Sequence, residues 1–95
     1  MRPPRPAILS AVSQETGVSQ RALVGPNTNR SVCAARHVGM ASAWFLGYTY
    51  QEAASMFGRS NHATALKAWR KVTNDEVLNG LCSRVIAPFL KGGLS

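Results

Sequence analysis

The chain has 95 residues, a single-domain length that allows one modest core of packed helices and leaves no room for a separate catalytic domain. Eleven lysines and arginines face only four acids, Glu15, Glu52, Asp75 and Glu76, and the formal charge of +7 favours a polyanionic partner, either nucleic acid or an acidic membrane surface. No apolar run of about 18 residues is present to span a bilayer. The opening residues lack a secretory pattern, and Cys33 and Cys82 share no metal-type spacing, so a soluble cytoplasmic protein without a metal or other cofactor is expected.

In chain order, residues 1–6 (Met1-Arg2-Pro3-Pro4-Arg5-Pro6) read as an extended arm, because each proline fixes its own dihedral and biases its predecessor away from helix. A first helix is expected from about Ala7 to Thr16, with Ile8, Leu9 and Val12 on one side and Gly17 as its stop. Val18 to Val24 reads as a short second helix capped by Ser19, followed by the turn-forming loop Gly25-Pro26-Asn27-Thr28-Asn29. From Ser31 to Leu46, apolar and small residues recur at helical spacing with Ser31 available as N-cap. The many small residues there, Ala34, Ala35, Gly39, Ala41, Ser42 and Ala43, suit a central helix that others approach closely.

Gly47 ends that helix, and Thr49 with Glu52 forms a capping-box pattern for the next, expected to about Phe57. Gly58 to Asn61 reads as a turn into a helix from about His62 to Val72, with Ala65, Leu66, Trp69 and Val72 facing inward. A last helix starts near Asn74 or Asp75 and carries Val77, Leu78, Leu81, Val85, Ile86 and Leu90, with a kink expected at Pro88; residues 92–95 read as a frayed tail. No segment calls for a strand. The expected fold is all-α: a compact multi-helix domain over residues 7–91 with a helix-turn-helix at 49–72.

The segment Phe57 to Ala68 carries the chemistry. A tight turn opens into a helix with polar first residues and basic later turns, so Asn61, His62 and Thr64 sit where a groove-entering helix meets base edges. Lys67, Arg70 and Lys71 follow further down that helix, placed for phosphates. Catalysis is not expected: the acids are scattered, and Cys33 and His37, four apart on one helix, fit a buried thiol beside a surface imidazole better than a nucleophile and its base. A membrane-surface role fits poorly, since the basic residues do not line one strongly apolar helix.

Two segments resemble the C-terminal DNA-binding domain of the bacterial replication initiator DnaA. Arg30-Ser31-Val32-Cys33-Ala34-Ala35-Arg36-His37-Val38-Gly39-Met40 is similar to that family's basic loop and following helix, where an R-S-x-x-x-x-R-Q pattern precedes a small, apolar run. Glu52 through Ala68 is similar to the signature ending F-G-G-R-D-H-T-T-V-L-H-A, matched at Phe57, Gly58, His62, Thr64, Leu66 and Ala68. The resemblance implies a Trp-repressor-like helical fold that reads a short, asymmetric, A+T-rich duplex site, the DnaA box, as a monomer. It implies Arg30 in the minor groove, Arg36 on phosphate, His62 and Thr64 on bases, and a contact surface that includes Arg59, Ser60, Asn61 and Ala63. Arg36 could instead pair with Glu52.

The family's G-R-D becomes Arg59-Ser60-Asn61 here, and Ala63 replaces a threonine. An asparagine can donate as well as accept and suits adenine bidentately, so a site differing from the usual box is expected at the base pair that position 61 meets. The chain contains no G-x-x-x-x-G-K-[ST] segment, so no ATP-driven assembly is expected of it. The expected role is regulation of replication initiation or transcription, in the cytoplasm and on the nucleoid. The alternative is a protein-interaction module that acts on DnaA or its regulators.

Overall fold

The computed structural model describes residues 2–93. Six helices follow in order: α1 Arg5–Thr16, α2 Gln20–Val24, α3 Arg30–Phe45, α4 Tyr50–Met56, α5 His62–Thr73 and α6 Glu76–Gly93, with no strand among the described residues. Short polar side chains start most of them, as expected where first-turn N–H groups lack helical partners. Ser19 accepts from the Ala22 N–H at 3.2 Å, and Thr49 and Glu52 form the reciprocal capping box. Asp75 accepts from the Val77 and Leu78 N–H groups at 2.9 and 3.1 Å.

Several boundaries differ from expectation by one or two residues. Helix α1 begins at Arg5, not Ala7, because Pro6 is preset for a first turn, where its missing N–H costs nothing. Helix α3 is capped by Asn29, whose Oδ1 accepts from the Ser31 N–H at 2.9 Å, so Arg30 lies in the first turn of the helix and not in the loop. Helix α6 runs on through Pro88 to Gly93; of the tail expected at 92–95, Leu94 and Ser95 lie outside the described residues.

Helix α3 touches all five others. Its small residues permit this: Ala35, Gly39, Ala41, Ser42 and Ala43 are buried, and at Gly39 a Cβ would collide with the tip of the Phe57 ring. Phe57, fully buried with Ile8, Leu23 and Met40, contributes about 1.5–3 kcal/mol by leaving water. The buried Ser42 hydroxyl donates to the Val38 carbonyl at 2.7 Å and lies 3.3 Å from the Cys82 sulfur, which satisfies an otherwise costly group. Burial pushes the Cys82 thiol pKa up.

On α5 the inward stripe is Ala65, Ala68 and Val72, while Leu66 and Trp69 are half-buried. Trp69 packs on Trp44 with ring centroids 5.5 Å apart, and Trp44 stacks on Tyr50 at 5.7 Å. On α6 Leu78, Cys82 and Val85 are buried, whereas Val77 and Leu90 point outward, 72% and 53% exposed. Cys33 is half-buried at the surface of α3, unlike Cys82.

Candidate nucleic-acid interface

The turn between α4 and α5 is set by backbone chemistry. The Gly58 N–H donates to the Ser55 carbonyl at 3.1 Å and the Arg59 N–H to the Ala54 carbonyl at 2.8 Å, the paired bonds of a Schellman motif. That motif requires a left-handed residue, and Gly58 supplies it with φ of 75°. Gly58 also packs onto the backbone of Val24, leaving no space for a Cβ, so the turn is seated directly on the end of α2. Gln51 Nε2 donates to the Ser60 carbonyl at 2.9 Å and holds the far side of the turn.

The turn delivers an exposed helix start. Asn61 is the N-cap of α5, its Oδ1 accepting from the Ala63 N–H at 2.9 Å. Ser60, Asn61 and His62 are exposed; Ala63 and Thr64 are half-buried against the domain. Thr64, Lys67 and Lys71 follow at spacings of three and four, and Arg70 flanks them, so the three basic side chains form one exposed stripe down the helix. With no acid in the first turn, the positive end of the helix dipole is uncompensated at the tip.

Beside the last turn of α5 lies a cleft of about 310 Å³ between the starts of α3 and α6. Arg30, Cys33, Ala34 and His37 line it from α3, Lys71 from α5, and Asp75, Val77 and Leu78 from the α6 side. Arg30 and Lys71 therefore share one opening, which joins the two separated basic segments of the sequence. His37 faces this cleft with its Nδ1 buried and unpartnered. Burial, with Lys71 and Arg36 nearby, lowers its pKa below 6.5, so a neutral imidazole is favoured there. Composition gave no sign of this cleft, though the spacing of Arg30, Cys33, Ala34 and His37 on one helix face was available as a signal.

Arg36 does not belong to the exposed surface, which corrects both expectations for it. It is 4% exposed, Nε donates to the Leu23 carbonyl at 2.8 Å, and Nη2 reaches the carbonyls of Ala22, Gly25 and Asn27 at 3.0, 3.1 and 3.0 Å. The guanidinium thus caps the C-terminus of α2, where carbonyls lack helical donors, and ties down the loop that leads to Arg30. Burial and the neighbouring Arg59 lower its pKa. Glu52 is paired elsewhere, with Arg2, at 2.8 and 2.9 Å.

Arg59 is half-buried, and its guanidinium reaches the Gly25 carbonyl at 3.4 Å. Its placement is that of a brace between the turn and the loop, with part of its surface still open. Arg30, Ser60, Asn61, His62, Lys67, Arg70 and Lys71 are exposed.

The family model described as the bacterial DnaA protein helix-turn-helix matches residues 6–72, from the start of α1 to the last turn of α5. The chain belongs to this family. No curated protein matches it. The DnaA helix-turn-helix assignment accounts for the all-helical fold and makes the chain a DNA-binding domain with duplex DNA as its partner. Helix α6 falls beyond the matched residues, yet it packs on α3, α1 and α5 and supplies one wall of the cleft. Among the described residues no helix is long and apolar enough to cross a membrane, and no group of three His, Cys, Asp or Glu could hold a metal ion.

Proposed function

We propose that this protein binds a DnaA-box-like duplex site in a sequence-specific way, with the start of α5 in the major groove and Arg30 in the adjacent minor groove. The shared cleft of Arg30 and Lys71 carries this reading, because it brings the basic start of α3 to the far end of the exposed α5 stripe. At about 1.5 Å rise per residue, Asn61 and Lys71 are about 15 Å apart along the helix. That is close to half of the roughly 34 Å turn of B-DNA, the step from a major groove to its neighbouring minor groove. A guanidinium there is favoured in the narrow, strongly negative minor groove of A+T-rich DNA.

In this reading His62, Thr64 and Asn61 meet base edges, Ala63 offers a methyl for thymine, and Ser60, Lys67, Arg70 and Lys71 reach sugar and phosphate. Arg36 and Arg59 act indirectly by fixing the loop and the turn. One domain reads one asymmetric site, and occupancy of such sites regulates replication initiation or transcription by competing with or recruiting other proteins, on the nucleoid in the cytoplasm.

Fluorescence anisotropy with a box-containing duplex and a scrambled duplex of equal length tests this at near-physiological salt. The specific duplex should bind at least about 1,000-fold more tightly. Equal affinities would reduce the function to charge-driven, non-specific binding. Retained cellular function in an Arg30→Ala, His62→Ala variant would favour a protein-interaction module instead.

A further inference from the structure

We infer that Asn61 presents only hydrogen-bond donors to DNA, and that the base it selects in the major groove is guanine. The inference rests on the sequence-specific reading above and names what one position of that interface recognises. An asparagine side chain has one acceptor oxygen and one donor nitrogen, and its usual adenine contact needs both on the same base edge: Oδ1 accepting from N6 and Nδ2 donating to N7. At position 61 the oxygen is already engaged, since Oδ1 accepts from the Ala63 N–H at 2.9 Å as the N-cap of α5. The capping bond takes one of the two Oδ1 lone pairs and turns the oxygen towards the helix end, so the amide plane cannot swing to lay both atoms along one base, and Nδ2 on the opposite side is left to make the contact.

The surroundings have the same character. The Ser60 carbonyl accepts from Gln51 Nε2 at 2.9 Å, and the Asn61 carbonyl accepts from the Thr64 N–H at 3.0 Å, so neighbouring backbone acceptors are engaged as well. No carboxylate stands in the first turn of α5. The positive dipole end of the helix therefore favours acceptors on the DNA at this position. Among major-groove edges, guanine alone presents two adjacent acceptors, O6 and N7. Adenine sets a donor beside its acceptor, thymine a methyl, and cytosine offers a donor. The two Nδ2 protons can bridge the guanine pair, whereas each other base leaves one proton unmatched or opposed. This revises the adenine preference expected from residue type alone, because the capping bond turns away the acceptor that adenine requires.

Binding-site selection from random duplexes with wild type, Asn61→Asp and Asn61→Ala is the test. Aspartate is an equally good N-cap, so the helix start is kept while the donor is lost. Wild type should enrich guanine at one position by roughly 10- to 100-fold over the other bases. Asn61→Asp should move that single position to cytosine or adenine, which carry donors, with the rest of the site unchanged; Asn61→Ala should level it. The same base at every position for wild type and Asn61→Asp, or a wild-type site with no guanine lost on substitution, would overturn the inference while leaving sequence-specific binding intact. Recovery of no site by the wild type would overturn the parent reading and this inference with it.

Discussion

Arg36 and Arg59 converge on one acceptor, the carbonyl oxygen of Gly25: Arg36 Nη2 at 3.1 Å and the two terminal nitrogens of Arg59 at 3.4 Å. Arg36 comes from the body of α3, Arg59 from the turn that launches α5. The backbone of residues 22–27 is thereby clamped between the two elements that carry the side chains proposed to face DNA. Rigid placement of two such elements is what reading two grooves at once demands, because misalignment of either forfeits the contacts of both.

Arg36 and Arg30 should therefore fail in different ways. Arg36→Met removes the donors for four carbonyls in a buried site, each costing about 1–3 kcal/mol if wholly unsatisfied. With partial rescue by water, a loss of about 2–4 kcal/mol is expected, or on the order of 10–20 °C in Tm. Arg30→Ala, at an exposed position, should change stability by less than about 0.5 kcal/mol but weaken DNA binding and lower the salt-dependence slope by about one. Thermal melts alongside salt titrations of affinity separate the two; equal loss of Tm in both variants would refute the assignment.

Gly58 and Gly17 offer a matched pair, since both have φ of 75°. A Cβ at Gly17 meets nothing within 4 Å, whereas one at Gly58 runs into the Val24 backbone. Gly17→Ala should cost about 1–2 kcal/mol for the left-handed conformation alone. Gly58→Ala should cost at least about 1–2 kcal/mol more, because backbone cannot move aside as a flexible side chain can. Denaturant unfolding of both variants gives the difference directly, and equal midpoints would show that the turn is not seated on Val24.

Much of this was legible in the residues. The capping box at Thr49 and Glu52, Gly58 at the turn and the periodicity of α3 place the helix-turn-helix from sequence because each is a local device with a local cause. Arg36 was legible too, though only if its position outweighed its charge. It stands at helical spacing from Val32, Gly39 and Ala43, all buried, so its own phase points it inward. What a single chain cannot display are relations between distant segments with no shared pattern: Gly58 on Val24, Arg2 on Glu52, and Arg30 with Lys71 across a cleft. These depend on how helices cross, which side-chain spacing restricts but does not determine.

His37 gives the fold a pH dependence near neutrality. Its folded pKa lies below 6.5, from burial first and then from Lys71 and Arg36. Between the folded and unfolded values the unfolded chain binds more protons, so stability is full above about pH 6.5 and declines as pH falls below it. His37→Gln removes the titrating group and should flatten that decline. Urea unfolding at about pH 7.5 and about pH 5.5 gives the comparison; an identical pH dependence in wild type and variant would rule out His37 as the source.

The N-terminal arm supplies a second, more acidic dependence through Glu52. Its carboxylate accepts two bonds from Arg2 and one from the Thr49 N–H, and these hold its pKa near 2, Arg2 having the larger effect. Arg2 also stacks on the Tyr48 ring at 4.2 Å, and the Tyr48 hydroxyl donates to the Pro3 carbonyl at 2.6 Å, so the arm is fastened at more than one point. Because the folded pKa is depressed, the stabilisation is complete above the ordinary value of 4.5 and is lost as pH falls from there towards 2. The pair is exposed, so salt should weaken it. Arg2→Ala leaves the Thr49 bond in place and should raise the Glu52 pKa part of the way back, to a value between 2 and 4.5. An NMR titration of the Glu52 side-chain carboxyl measures this. A pKa still near 2 in Arg2→Ala would mean that the capping box alone holds the charge and that the arm is not latched through Glu52.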